Sequence, residues 1–488
     1  MIHPQHSRPI DVHRWSDHPE ARRITDAVWA LPFFEGYREG RVDKGGPRPK
    51  IRYKDQLHVL ILDLFVAWKT DPDLSIGVAM GVDAWKTSSR YNALHLSKIL
   101  PTFINLLHQN GLLDLSKGSY SGPGFATNRT TRIRAAEDLI HLFSGADFEV
   151  EDVVVAEGRE TIILRNDDNP AGTSKPIEYV DTKDTKNWRH HLEAYNALLQ
   201  KTFIDIPSLD RPYIERMISK GKGTGTTQRI PIGPSNAFVR RVFSRGSWEM
   251  NGRFYGGWWQ QVSPELRQQI YIDDEPTVEI DFQALHVAIL SKEAGIPLVD
   301  DPYSLNALIF PDVTVTQQRG YVKHLVLTAI NAKSKKSAFR AFRENYSGDA
   351  LGKHLRDADL ERLLSLFLEF YPHLEEKLFA DLGILLMYRD SQVAAKVLAN
   401  FTQAGIPVLC IHDSFIIQAR HQKQLASFMQ DATSYEFGGT LRTDQKDGEA
   451  FINPLYDGEI AGKRTRTNAY LRRLSVFKRR AKEQEPLY

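Results

Sequence analysis

Cysteine occurs once in the chain, at Cys410 inside an apolar run, which excludes an intrachain disulfide framework and a zinc cluster built on thiolates. Long apolar runs are missing as well. Nowhere do about 18 uninterrupted apolar residues occur, so no membrane-spanning helix is expected. The opening MIHPQHSRPIDVHRW has no apolar stretch after a basic start, so no secretory leader is expected there. A reducing, cytoplasmic setting fits both absences. Neither sign of charge dominates: 63 Lys and Arg against 61 Asp and Glu leave a net charge of +2. Any nucleic-acid surface must therefore come from local clustering of cations. The basic run SKGKGTGTTQR (219–229) matches neither glycine-rich phosphate-loop pattern, which excludes a nucleotide-binding P-loop. With 42% hydrophobic and 25% charged residues over 488 positions, the composition is that of a globular chain of about two to four domains.

Against that background two acidic positions stand out. The stretch Val278 to Leu290, VEIDFQALHVAIL, reads as a short buried strand running into a helix, with Asp281 at the junction. Far downstream, Ile406 to Gln418, IPVLCIHDSFIIQ, reads as a β-hairpin with Asp413 at its tip. Two aspartates so placed in one sheet can hold two divalent ions roughly 3.5–4 Å apart for in-line displacement at phosphorus. Between them, Gln318 to Ala332 forms a helix on which Arg319, Lys323, Leu327 and Asn331 fall near one face. Its two cations suit a triphosphate.

The order of these three elements, strand-Asp, then R-x-x-x-K helix, then His-Asp hairpin, resembles motifs A, B and C of family A DNA polymerases and of the single-subunit bacteriophage-type RNA polymerases. Upstream, GRFYGGWWQQ (Gly252 to Gln261) is similar to the Gly-Arg-x-Tyr segment ahead of motif A in the phage-type enzymes. The resemblance covers roughly Asn236 to Tyr435. It implies an α+β right-hand polymerase with palm and fingers, acting on a primer and template (DNA first) and on nucleoside triphosphates. Asp281 and Asp413 would hold two Mg²⁺ ions, with Mn²⁺ as an alternative, and Arg319 and Lys323 would neutralise the β and γ phosphates. His412 would brace the primer end, and Arg253 would touch the template or primer strand.

Three positions bear on the nucleotide. His286 stands where the DNA polymerases carry a glutamate that crowds the 2′-hydroxyl and the phage-type enzymes a small residue. Asn331 stands where both families usually place a tyrosine, and Ala332 replaces the glycine after it. Ser414 follows the phage-type pattern. His286 leans toward deoxynucleotides and Ser414 toward the RNA enzymes, so DNA synthesis is the first expectation and an RNA polymerase or primase using NTPs the alternative. No segment ahead of Asn236 resembles a 3′–5′ exonuclease, so proofreading is not expected.

The remaining chain divides into a polar arm (1–50), a domain resembling a winged helix (51–145), a connecting or thumb-like region (146–235), the palm and fingers (236–458) and a basic tail (459–488). In the winged-helix reading Lys86, Ser88, Ser89, Arg90 and Asn92 open a recognition helix, and Lys117, Arg129 and Arg132 decorate the wing. The arginines and aromatic residues of Phe238 to Gln261 suit a nucleic-acid groove, and the tail reads as a mobile arm seeking nucleic acid. A reading of another class stays open: a non-catalytic DNA-binding replication initiator or regulator, motivated by Asn331 in place of tyrosine.

Overall fold

The structure is a computed structural model, and it describes residues 6–39, 50–81, 84–119, 129–166, 174–218, 226–296, 298, 301–305, 308–446 and 466–483. Its apolar side chains gather into two main cores, one drawn from Ala21 to Val153 and a larger one from Ile162 to Leu441. The stretch 146–235 accordingly has no core of its own: Ile162, Leu192, Tyr195 and Ile214 all belong to the larger core.

The smaller core is organised around α1 (Tyr53–Thr70), which is buried almost all round. A helix so placed must satisfy its polar residues internally. Asp63 accepts from Arg8 Nη2 at 2.6 Å and from Arg14 Nε at 2.6 Å, so residues of the N-terminal arm pack as its counter-ions. The arm also contributes β1 (Ser7–Pro9), which lies parallel to β2 (Ser75–Val78). After α2 (Ile99–Gln109), β3 (Leu113–Ser116) and β4 (Thr131–Ala135) pair antiparallel, giving the sheet order β1-β2-β4-β3. This pair falls on the two β-like runs around the expected wing. Lys117 and Arg129 are exposed on it, Arg132 donates to Ser7 Oγ at 3.0 Å, and residues 120–128 lie outside the described residues.

The recognition helix is corrected. Lys86 to Leu96 forms successive turns, and the helix begins only at Ile99. Pro101 supplies the reason: within a longer helix its ring would strike the carbonyl four residues back, whereas the first turn tolerates it. Arg90 does not face outward to a ligand but reaches Glu160 at 3.2 Å and Asp181 at 3.2 Å, with its guanidinium 3.6 Å from the Tyr179 ring centroid.

In the larger part, β5 (Ile162–Asn166) runs parallel to β7 (Arg240–Phe243), which pairs antiparallel with β8 (Asn251–Tyr255). The helix α3 (Lys183–Gln200) packs beneath them. The second sheet has the order β11-β12-β10-β9-β6, where β6 is Ile204–Asp205, β9 Tyr271–Ile272, β10 Glu275–Phe282, β11 Val408–Ile411 and β12 Ser414–Gln418. A further strand, β13 (Thr443–Lys446), also pairs with β10. Around this sheet lie α4 (Leu285–Glu293), α5 (Val315–Asn331) and α6 (Gly383–Gln403). The architecture is mixed, with several sheets and many helices.

The C-terminal segment is also corrected. Residues 468–483 form a helix, α7 (Asn468–Glu483), whose Tyr470 and Leu474 pack with Phe203. Arg473 donates to Asp205 at 2.7 Å and Arg466 to Asp274 at 2.7 Å. Part of its positive charge is thus engaged in holding the helix down. No described helix is long and apolar enough to cross a membrane.

Candidate functional site

The sequence of β10 carries a polar residue on every second position of one face, Glu279 and Asp281, within an otherwise apolar run. Directly opposite residues of an antiparallel pair project to the same face. Asp281 lies opposite Ser414 on β12 and opposite Asp444 on β13, and Asp413 immediately precedes Ser414 at the hairpin tip. The Phe282 amide donates to the Asp413 carbonyl at 3.3 Å, which fixes the hairpin tip against the end of β10. Asp281 and Asp444 thus lie directly across from each other at one end of the sheet, with Asp413 on the adjoining turn. Like charges so placed repel.

The hairpin is short and held from outside. Two residues, His412 and Asp413, connect β11 to β12, and His412 has a φ of 54°. The left-handed region ordinarily belongs to glycine at this loop position. β11 lies at the edge of the sheet, yet its outward carbonyls are occupied: Val408 O accepts from Tyr195 at 2.7 Å, and Cys410 O accepts from Trp259 at 3.1 Å and Gln260 at 2.9 Å. Trp258 and Trp259 are fully buried, and Arg241 sits buried among Trp188, Phe243 and Phe254. The aromatic-arginine cluster expected to face nucleic acid is therefore mostly core that braces the hairpin. Burial pushes the Cys410 thiol up to about 12, leaving it inert.

A cavity of about 720 Å³ opens beside Asp281. Asp281, Asp301 and Asp444 meet Lys292, Arg319, Lys323 and Arg442 on its walls, so cations outnumber carboxylates. Arg319 and Lys323 both come from α5, as their four-residue spacing predicts, and Arg319 is paired with Asp301. Tyr303 also lines the wall, and burial followed by the neighbouring Asp301 raises its hydroxyl above the ordinary range. Asp444, Arg442 and Lys292 carry no local signal that marks them in the sequence. Arg442 and Asp444 lie far along the chain from Asp281, and only the pairing of β13 with β10 brings them in, whereas Lys292 lies in the last turn of the helix that follows Asp281.

The remaining expected residues fall elsewhere. Arg253 on β8 is ion-paired with Asp390 on α6, its Nε lying 3.0 Å from Asp390 Oδ1. Burial works against its charge, but Asp390 outweighs this and holds the guanidinium above its usual value. His286 is 8% exposed, with Nε2 3.1 Å from Asp390 Oδ2 and 3.2 Å from Arg253 Nη2. Ser414 is buried and donates to Glu279 at 2.8 Å, and Glu279 in turn pairs with Arg267. Asn331, at the end of α5, donates to Leu327 O at 2.7 Å. None of Arg253, His286, His412, Asp413, Ser414 or Asn331 lines the cavity.

His286, expected beneath the sugar, and Asn331, expected at the pocket floor, thus both stand outside this cavity. The His412 ring lies 4.9 Å from that of Tyr255. Its Nδ1 is buried without a hydrogen-bond partner, and burial, then Arg253, lowers its pKa, so the ring is neutral at pH 7.

Among the described residues no group of three or more His, Cys, Asp or Glu is gathered as a ready-made metal cage. Mg²⁺ seldom needs one, since it is usually held by one or two carboxylates together with waters and substrate phosphates. The donor set fits that habit: oxygen ligands only, with Asp281 and Asp444 placed so that a cation between them relieves their repulsion.

No protein-family model matches the chain, and no curated protein matches it. Among solved structures it is similar to the POL domain of Pol1 from M. smegmatis in complex with DNA primer-template and dNTP, at 9% sequence identity and a TM-score of 0.29. The match covers 42% of this chain and 47% of that one, so the chain spans just under half the length of the structure it matches. A likeness of that size identifies neither family nor activity.

Proposed function

We propose that the chain is a template-directed nucleotidyltransferase, with the cavity beside Asp281 as its triphosphate site. One observation carries this reading: carboxylates at the end of an antiparallel sheet share a cavity with Arg319 and Lys323 from a single helix face. Asp281, Asp413 and Asp444 would hold Mg²⁺, which would supply Lewis-acid stabilisation of phosphoryl oxygens. Arg319 and Lys323 line the same cavity, where they neutralise the charge that builds on the leaving phosphates. Lys292 and Arg442 widen that field. His412, neutral and with a free Nδ1, orients the attacking hydroxyl or a phosphate oxygen. Arg253 and His286 act at one remove, setting β8 against α6 beneath the hairpin.

The substrates in this reading are a nucleic-acid primer-template and nucleoside triphosphates. Because His286 does not border the cavity, its identity no longer favours dNTP, and synthesis of DNA or RNA stands open on one mechanism. The test is primer extension with Mg²⁺ and labelled dNTPs or NTPs. Asp281→Asn and Asp413→Asn are each expected to lower incorporation by about a thousandfold or more, the worth of several kcal/mol of transition-state stabilisation. Affinity for nucleic acid should stay near wild type. Retention of more than about a tenth of the activity in either variant would falsify the assignment. DNA binding with no incorporation by the unmodified protein would favour the initiator reading.

A further inference from the structure

A second cavity, of about 410 Å³, lies between the two cores and takes its walls from both. Its lining includes His13 and Tyr91 from the smaller part and Arg159, Arg165, Arg240 and Tyr255 from the larger. Three guanidinium groups converging on one space demand an explanation, because buried cations are ordinarily paired.

The carboxylates nearby do not supply one. Asp11 reaches Arg159 only at 3.8 Å, and Glu160, although on the wall, is engaged by Arg90 at 3.2 Å and Arg189 at 3.0 Å. Among the described residues no carboxylate lies within ion-pair distance of Arg165 or Arg240. The Nε atoms of Arg159, Arg165 and Arg240 are all buried without a hydrogen-bond partner. Burial, and after it the field of Arg159, pushes Arg240 down to about 10, so the cluster is held under mutual repulsion. An isolated carboxylate would leave most of that charge uncompensated. A phosphate, with its charge spread over several acceptor oxygens, matches planar N–H forks.

We propose that this cavity is a phosphate-binding site separate from the one beside Asp281, taking a phosphate of a single-stranded nucleic acid or of a free nucleoside triphosphate. Its position gives the phosphate a purpose. Tyr255 forms one wall, and the same ring lies 4.9 Å from His412, next to the carboxylate hairpin. One aromatic ring, that of Tyr255, separates a group bound here from His412 of the hairpin. The proposal does not rest on catalysis at that site, since it concerns binding alone.

The test uses the full chain carrying Arg165→Gln, and separately Arg240→Lys, which keeps a charge in place but shortens the fork. Binding of a 12-nucleotide oligothymidylate is measured across a salt series, and the number of labelled GTP molecules bound is measured with Ca²⁺ in place of Mg²⁺. A strand phosphate predicts about a tenfold loss of oligonucleotide affinity in Arg165→Gln and a salt slope shallower by about 0.7 for each phosphate that is no longer neutralised. A nucleotide phosphate predicts instead that GTP stoichiometry falls by one site while the oligonucleotide is unaffected. Either result supports the site. Unchanged binding of both probes in both folded variants overturns it, whether or not the unmodified chain extends a primer, so this failure and failure of the transferase reading are read by separate assays.

Discussion

His286 changes meaning once its neighbours are known. From its spacing after Asp281 it reads as a steric gate, yet its Nε2 is taken up by Asp390, itself only 2% exposed, and by Arg253. His286 is also absent from the walls of the cavity beside Asp281. His286→Gly should therefore leave the ratio of NTP to dNTP incorporation unchanged and instead lower stability by about 1–3 kcal/mol, the cost of a buried polar group losing its partner. Competition of the two nucleotides on one primed template, alongside a thermal melt, reads both effects. A ratio moved toward NTPs with the melting temperature intact would restore the gate. His412 is the opposite case: its backbone strain and unpartnered Nδ1 both sit at the hairpin tip, where strain is most often kept for function.

At the scale of elements, β8 meets α6 so closely that a side chain at position 252 has no room. A Cβ on Gly252 would come within 2.7 Å of Ser391 Oγ and 3.1 Å of Phe243, at a φ of +75° that other residues rarely adopt. This close approach is what lets the next residue, Arg253, reach Asp390 across to the helix. Gly252→Ala should cost about 1–3 kcal/mol from strain alone, and lengthening the strand-helix gap should free Arg253 and reduce any incorporation activity with it. Urea unfolding of the variant measures the first effect; an unchanged midpoint would show that the helix gives way freely.

The two acidic strand ends and the α5 cation face were legible because apolar runs with one polar interruption, and cations four apart, write their geometry locally. Asp390 was not, for a lone acid within a helical pattern looks solvated until a distant strand supplies its arginine. The absent recognition helix was legible in principle, in Pro101.

On the scale of the whole molecule, the boundary between the two cores is crossed by charge rather than by apolar packing. Arg14 bridges Asp63 of the smaller part and Ser235 of the larger, and Arg90 serves Glu160 and Asp181 together with the Tyr179 carbonyl at 2.7 Å. Such joints are hidden in the sequence because Arg90 lies in a polar, turn-rich stretch that looks like an exposed surface. They also mean that removing residues 1–150 would not trim an independent module: it would strip Glu160 of one of its two arginines and open the arginine-lined cavity.

Arg90→Ala isolates this effect. Glu160 is nearly buried, so leaving it with Arg189 alone is expected to weaken the joint by about 3 kcal/mol, the lower end of the cost of breaking a buried pair. Each hydrophobic core remains intact in the variant, so the loss should appear as uncoupling. Calorimetry of the unmodified chain should give one cooperative transition, and that of Arg90→Ala two, with the smaller part melting first because it buries the smaller core. A single transition merely shifted downward would mean that Arg14 and the walls of the second cavity couple the parts without Arg90.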